Sequence, residues 1–229
     1  MTDDHETGAK AIRARLAAVK AKRGRLMPNH AVLAIEFPEA LDIYEALYAA
    51  TTMTFKSLSP RDKKLVQIAV VASAQIPLGG NHVADLLKAG GTPQQVRAIL
   101  RLAILVVGAN PPDSVGPTWT AVPGLRYAEI FDDGWIDFAV AAGIDRGVVE
   151  LALIAGHATQ RAWERVAFHI VRAKACGVSD AAIAEALSTL MLTAGNPIFA
   201  QACGVWHRLI AEGKVEASAE YLDAIEIAR

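Results

Sequence analysis

Two stretches decide the fold, because one rewrites the other. Asn81-His82-Val-Ala-Asp-Leu-Leu-Lys-Ala-Gly90-Gly-Thr92-Pro-Gln-Gln-Val96 aligns with Phe168-His169-Ile-Val-Arg-Ala-Lys-Ala-Cys-Gly177-Val-Ser179-Asp-Ala-Ala-Ile183 at a spacing of 87 residues. The same spacing pairs Leu100 with Leu187 and Gly108 with Gly195, where Gly-Ala-Asn-Pro is answered by Gly-Asn-Pro. Each copy reads as a helix, a tight break and a second helix. Gly90 and Gly177 suit a left-handed C-cap without Cβ strain, and Thr92 and Ser179 are N-cap residues. Pro93 fits the first position of the helix that Thr92 opens. Beyond the caps, Val96, Ile99, Leu100, Ala103 and Ile104 keep helical spacing, as do Ile183, Ala186, Leu187, Leu190 and Met191.

Outward from this pair the pattern stays helical. Ser59-Pro60-Arg61-Asp62 opens a helix running to about Ala74, and Asp145 opens its counterpart. Residues 9–23 form a basic amphipathic helix, and a further helix runs from about Glu39 to Thr51. Strand signals are weak, so the expected class is all-α, a tandem repeat. The domain reading is an N-terminal helical arm over 1–35, a first repeat over 36–110, a Pro-rich linker over 111–127 and a second repeat over 128–229.

Composition excludes several functions. The 229 residues are 53% hydrophobic, and 23 Lys and Arg stand against 24 Asp and Glu, a formal net charge of −1. That balance gives no global pull toward nucleic acid or anionic membrane. The longest apolar runs, Ile68–Ala74 and Leu102–Ala109, are far shorter than the ~20 residues that cross a bilayer. The acidic start is unlike a signal peptide. Two cysteines, Cys176 and Cys203, do not make a disulfide framework, and a cytoplasmic location is expected.

Leu58-Ser-Pro-Arg-Asp-Lys-Lys-Leu-Val-Gln-Ile-Ala-Val, then a histidine followed eight residues later by Gly, then Thr or Ser and a helix ending in a Gly-to-Pro turn, resembles the carboxymuconolactone decarboxylase and alkylhydroperoxidase D-like family. The resemblance covers roughly 36–110 and 128–210. It implies compact helical units associating as homo-oligomers, a trimer being favoured for a tandem chain. It also implies either thiol peroxidase or decarboxylase chemistry. In the peroxidase branch two cysteines stand seven and four residues before the histidine. Here those positions are Gln75 and Leu78 in the first copy, and Ala162 and Arg165 in the second. Disulfide exchange needs a low-pKa thiolate beside a resolving cysteine, and neither copy supplies the pair.

The family glutamate is matched by spacing at Glu150, nineteen residues before His169; the matching position of the first copy is Lys63. The second copy is therefore read as the active half and the first, which keeps His82, as degenerate. A carboxylate bonded to one imidazole nitrogen fixes the tautomer and leaves the other nitrogen to exchange protons with a substrate. Arg165 lies one turn before His169 and suits an acidic substrate. His157, beyond Glu150 on the same helix, and His82 are further candidates for binding substrate. Glu164 is an alternative acid/base, but its spacing rotates it away from His169.

Each candidate also has a plain structural reading. His169 and His157 fit as hydrogen-bonded core histidines, Glu150 as an ion-pair partner of Arg146, Arg165 as a surface or interface residue, and Trp163 and Trp206 as packing. No metal-ligand spacing is recognisable, and neither metal nor cofactor is expected.

The resulting expectation is a cofactor-free lyase acting on a small carboxylated lactone or unsaturated acid of the kind met in aromatic-compound catabolism. Its rivals are a peroxidase-like oxidoreductase using Cys176 or Cys203 and a non-catalytic oligomeric ligand-binding or scaffold protein.

Overall fold

The computed structural model describes residues 2–77, 79–108 and 127–227, with side chains described over 8–77, 79–108 and 134–227. Residues 111–126 of the expected linker and Leu78 lie outside them, while Tyr127, the last linker residue, opens a helix. The helices are α1 (Thr2–Arg23), α2 (Pro28–Glu36), α3 (Pro38–Tyr48), α4 (Pro60–Ser73), α5 (Gly80–Lys88), α6 (Pro93–Gly108), α7 (Tyr127–Ala141), α8 (Arg146–Thr159), α9 (Trp163–Ala175), α10 (Asp180–Ser188), α11 (Leu190–Thr193), α12 (Asn196–Ala211) and α13 (Ala219–Ile227), with a π-helical turn over Ala49–Met53. Among the described residues there is no strand, and no helix is long and apolar enough to cross a membrane. The class is all-α, as the periodicity predicts.

The chain divides into two compact units, residues 1–54 and 55–229. The first has a small apolar centre of Val19, Ala34 and Leu41. Beside it the Arg23 guanidinium lies 3.5 Å from the centre of the Tyr48 ring and pairs with Glu45 at 2.7 Å.

The second unit is built around α4 and α8. Both are buried on nearly every side: Lys63 through Val71 on α4, and Gly147 through Ala158 on α8. A helix enclosed all round is a core helix, and α6, α9 and α10 pack on this pair. Each fully enclosed Leu, Ile or Val of that pair contributes about 1.5–3 kcal/mol of apolar burial. Gly156 permits the close approach. A Cβ there would lie 3.1 Å from Ser73 Oγ and 3.3 Å from a Val106 methyl.

The helix starts follow local chemistry. Ser59 Oγ accepts from the Asp62 amide, Asp145 Oδ1 from Gly147 and Val148, and Ser179 Oγ from Ala182. Thr92 and Gln95 form a reciprocal capping box, and the Gln95 side-chain amide continues to the Gly143 carbonyl at 2.9 Å. Gly90 and Gly177, at φ 85 and 78, end α5 and α9 in the left-handed region. Gln75 and Arg161, both at φ 56, occupy that region after α4 and α8.

Candidate functional site

Glu150 and His169 come from the two helices that pack most closely on each other, α8 and α9. Asp145 starts α8, and Glu150 follows five residues later on the face turned to α9. Both side chains are 0% exposed. His169 Nδ1 donates to Glu150 Oε2 at 2.7 Å. A carboxylate only accepts, so this contact sets the tautomer with hydrogen on Nδ1 and turns Nε2 to the opposite side.

The second oxygen has its own partners. Arg172 Nε donates to Glu150 Oε1 at 3.0 Å and Arg146 Nε does so at 3.3 Å. Burial alone would raise the Glu150 pKa. The hydrogen bond and charge of His169, with those of Arg172, outweigh it and hold the carboxyl below its ordinary value. Arg172 also lies 5.2 Å from the centre of the Phe168 ring, which stands at 79° to the His169 ring with centroids 5.1 Å apart.

His157 completes the cluster. Its ring stacks on that of His169 with centroids 5.2 Å apart and planes 10° apart. It is 0% exposed, and neither ring nitrogen has a hydrogen-bond partner among the described residues. Burial, reinforced by the charges of His169 and Arg165, drives its pKa down to about 2, so it is a neutral imidazole at physiological pH. Arg165 is half-buried on α9 and acts electrostatically on His157. Glu164 is exposed, as its rotation on the helix predicts.

The remaining candidates lie apart from this cluster. His82 is half-buried on α5. A cavity of about 260 Å³ opens between α4, α5 and α6, with Val71, Gly80, Val83 and Leu100 in its wall. Glu150, His157 and His169 do not line it. Val71 stands twelve residues after the Ser59 cap, as His157 stands twelve after the Asp145 cap.

Counting from the helix caps gives a different pairing from counting back from the histidines. Counted from Ser59, the residue matching Glu150 is Lys64 rather than Lys63. Gln75 is seven residues before His82, whereas Arg161 is eight before His169, and that extra residue shifts the alignment. Lys63 points elsewhere and pairs with Glu185 at 3.0 Å.

Arg172 was missed by the sequence reading. Its signal was its position three residues after His169, which places both side chains on one helical face. Cys176 is exposed; Cys203 is half-buried, and burial pushes its thiol pKa up. Among the described residues no group of three His, Cys, Asp or Glu side chains is arranged to hold a metal ion.

These features define an all-α protein with an enclosed carboxylate–imidazole pair under two guanidinium groups. Residues 38–111 match the model of the Carboxymuconolactone decarboxylase family. The match covers the helices carrying Lys64, His82 and the apolar cavity and ends before α8 and α9. No curated protein and no solved structure matches the chain.

Proposed function

We propose that the protein is a cofactor-free acid–base enzyme of the decarboxylase type, acting on a small carboxylated lactone or unsaturated acid. The observation that carries this reading is the 2.7 Å contact between His169 Nδ1 and Glu150 Oε2 in a fully buried setting. An anionic carboxylate behind the ring supports the imidazolium while His169 holds two protons, and Nε2 is then the proton donor. In the proposed reaction the bond to the departing carboxylate breaks and CO2 leaves. Its electron pair spreads onto a conjugated carbonyl of the substrate, and His169 delivers a proton to carbon. Arg165 is assigned to a substrate carboxylate, for which a planar guanidinium is well matched. His157 is assigned to a carbonyl oxygen, and His82 to a secondary contact in the first helical repeat. We assign the protein to the cytoplasm.

A homo-oligomer, a trimer in the favoured form, belongs to the same proposal. Leu87, Leu100, Ile104, Trp135 and Phe138 are large apolar side chains exposed on the 55–229 unit, and such surface supports self-association. Sedimentation of the full chain measures this directly, and a monomer at micromolar concentration would reject it.

The catalytic reading is tested by His169→Ala and Glu150→Gln in an assay of CO2 release or substrate isomerisation. Each is expected to lower turnover at least tenfold, within the range general acid–base catalysis supplies. If neither does, the assigned roles are wrong. One observation favours a non-catalytic ligand-binding protein instead: the described cavity is apolar and stands apart from the buried pair. That reading expects small-molecule binding that survives His169→Ala, and no turnover.

A further inference from the structure

The ion pair between Glu150 and Arg172 has a counterpart with its charges exchanged. Glu150 stands five residues after the Asp145 cap on α8, and Arg172 stands three after His169 on α9. Lys64 stands five residues after the Ser59 cap on α4, and Asp85 stands three after His82 on α5. Arg172 Nε lies 3.0 Å from Glu150 Oε1, and Lys64 Nζ lies 3.2 Å from Asp85 Oδ2. In each helix pair the member on the central helix is buried, Glu150 at 0% and Lys64 at 4% exposure, and its partner is nearer solvent. The two helix pairs thus keep an ion pair at one register and differ in its polarity.

Polarity has a chemical consequence. A carboxylate offers two accepting oxygens, so Glu150 gives Oε1 to the guanidinium groups and Oε2 to an imidazole N–H. An ammonium offers only donors and accepts nothing from an imidazole. Glu150 therefore presents an acceptor to a histidine on the neighbouring helix, and Lys64, at the same count from its helix cap, presents none.

We propose that the polarity of this inter-helix ion pair decides which helix pair carries the proton-transfer site: Arg172 is a positioning residue that clamps Glu150 Oε1 so that Oε2 faces His169, and His82 belongs to a dormant copy that a charge exchange converts. This rests on His169 and Glu150 being the working pair. The charged and titratable groups facing them are Arg146 on α8, with Asp137 of α7 behind it, Arg172 and Arg165 on α9, and the neutral His157.

The test reads protonation in the full chain without any substrate. Long-range proton–nitrogen spectra report the tautomer and charge of each histidine ring, and carbon shifts report the Glu150 carboxyl. In K64E/D85R, which keeps an ion pair with its polarity reversed, the His82 ring is expected to gain an Nδ1–H donated to a carboxylate and to hold its second proton to higher pH. In R172L the midpoint of the Glu150 carboxyl is expected to rise by about one pH unit or more, the scale set by an opposite charge in contact. R172K is expected to restore most of that shift. In E150K/R172D the His169 ring loses its carboxylate signature although an ion pair remains.

A folded K64E/D85R protein with an unchanged His82 spectrum overturns the proposal, as does R172L with an unmoved Glu150 midpoint. Should K64E/D85R lose its helical circular dichroism, the comparison of R172L with R172K decides alone. The two readings fail separately. Spectral changes as expected, with turnover indifferent to His169→Ala, reject the catalytic role only. Turnover abolished by His169→Ala, with Glu150 unmoved in R172L, rejects the role of Arg172 only.

Discussion

The His157 imidazole lies parallel to that of His169 at a centroid distance of 5.2 Å, and of the two only His169 meets a carboxylate. Burial and the neighbouring charges of His169 and Arg165 keep the His157 ring neutral. Two histidines twelve residues apart in sequence, enclosed to the same degree, are given opposite electrostatic roles by one glutamate.

This asymmetry predicts an acid limb in stability. His157 titrates near 6.5 when unfolded and at about 2 when folded. Below the unfolded value the unfolded chain binds a proton that the folded chain refuses. Stability contributed by neutral His157 is thus complete above about pH 7.5, starts to fall as pH drops through 6.5, and falls by about 1.4 kcal/mol per pH unit below about pH 5.5. Glu150, held below its ordinary value, adds loss of the same sign below pH 4.5. His30 in the 1–54 unit is also shifted down, chiefly by burial, and acts likewise. Urea denaturation at several pH values between 7.5 and 5 separates them: His157→Phe should remove about one proton from the slope while leaving the part due to His30. A slope equal to that of the wild type would show that His157 is protonated in the folded state.

Much of the architecture was legible because it is local. Caps at Ser59, Asp145 and Ser179 and the glycines at 90 and 177 act through one turn of chain, and their residue types state their conformations. The glutamate–histidine pairing was readable from the nineteen-residue spacing of Glu150 and His169 that the resemblance singled out. Arg172 was not, because that spacing concerns two residues and says nothing of a third that reaches across from α9 to the far oxygen. The register of Lys64 was obscured by one residue of difference in the turn before the histidine. The Lys63–Glu185 pair, which joins α4 to α10, leaves no trace in either local pattern.

Removing the carboxylate of Glu150 should be far more costly than removing its exposed partner. Glu150→Leu leaves His169 Nδ1, Arg172 and Arg146 facing apolar carbon, and losing one member of a buried charged network costs about 3–5 kcal/mol. The Arg146 side chain is 39% exposed, so water replaces much of what Arg146→Leu removes. That change should cost less than about 1 kcal/mol. Denaturant midpoints for the two variants measure the difference. Equal losses would mean that the network is not anchored on the carboxylate.

Thiol reactivity separates the two cysteines. Cys176 is exposed at the end of α9, whereas burial raises the Cys203 pKa and suppresses its thiolate. Alkylation at pH 8 should therefore modify Cys176 first and Cys203 several-fold more slowly. A peroxidase-like activity would have to vanish in the Cys176→Ser/Cys203→Ser protein; proton-transfer activity should persist there. Hydroperoxide turnover lost with the thiols would reverse the order in which the two chemistries are ranked.

The close crossing of α4, α6 and α8 depends on Gly156. A leucine there meets Ser73 Oγ at 3.1 Å and the Val106 methyl at 3.3 Å with its first carbon, before the rest of the side chain is placed. Ser73 is also held in position through its carbonyl, which accepts from the Gln160 side-chain amide at 2.5 Å. Neither wall can retreat without opening the core on its far side. Gly156→Leu should cost at least the 1–3 kcal/mol, roughly, of an overpacked core, although it removes a helix-weakening glycine worth about 1 kcal/mol. Since His157 is the next residue, the displacement should also loosen its stack on His169. The expected result is a lowered unfolding midpoint together with shifted His157 and His169 ring resonances. A variant as stable as the wild type, with both resonances in place, would show that α8 does not need this close approach.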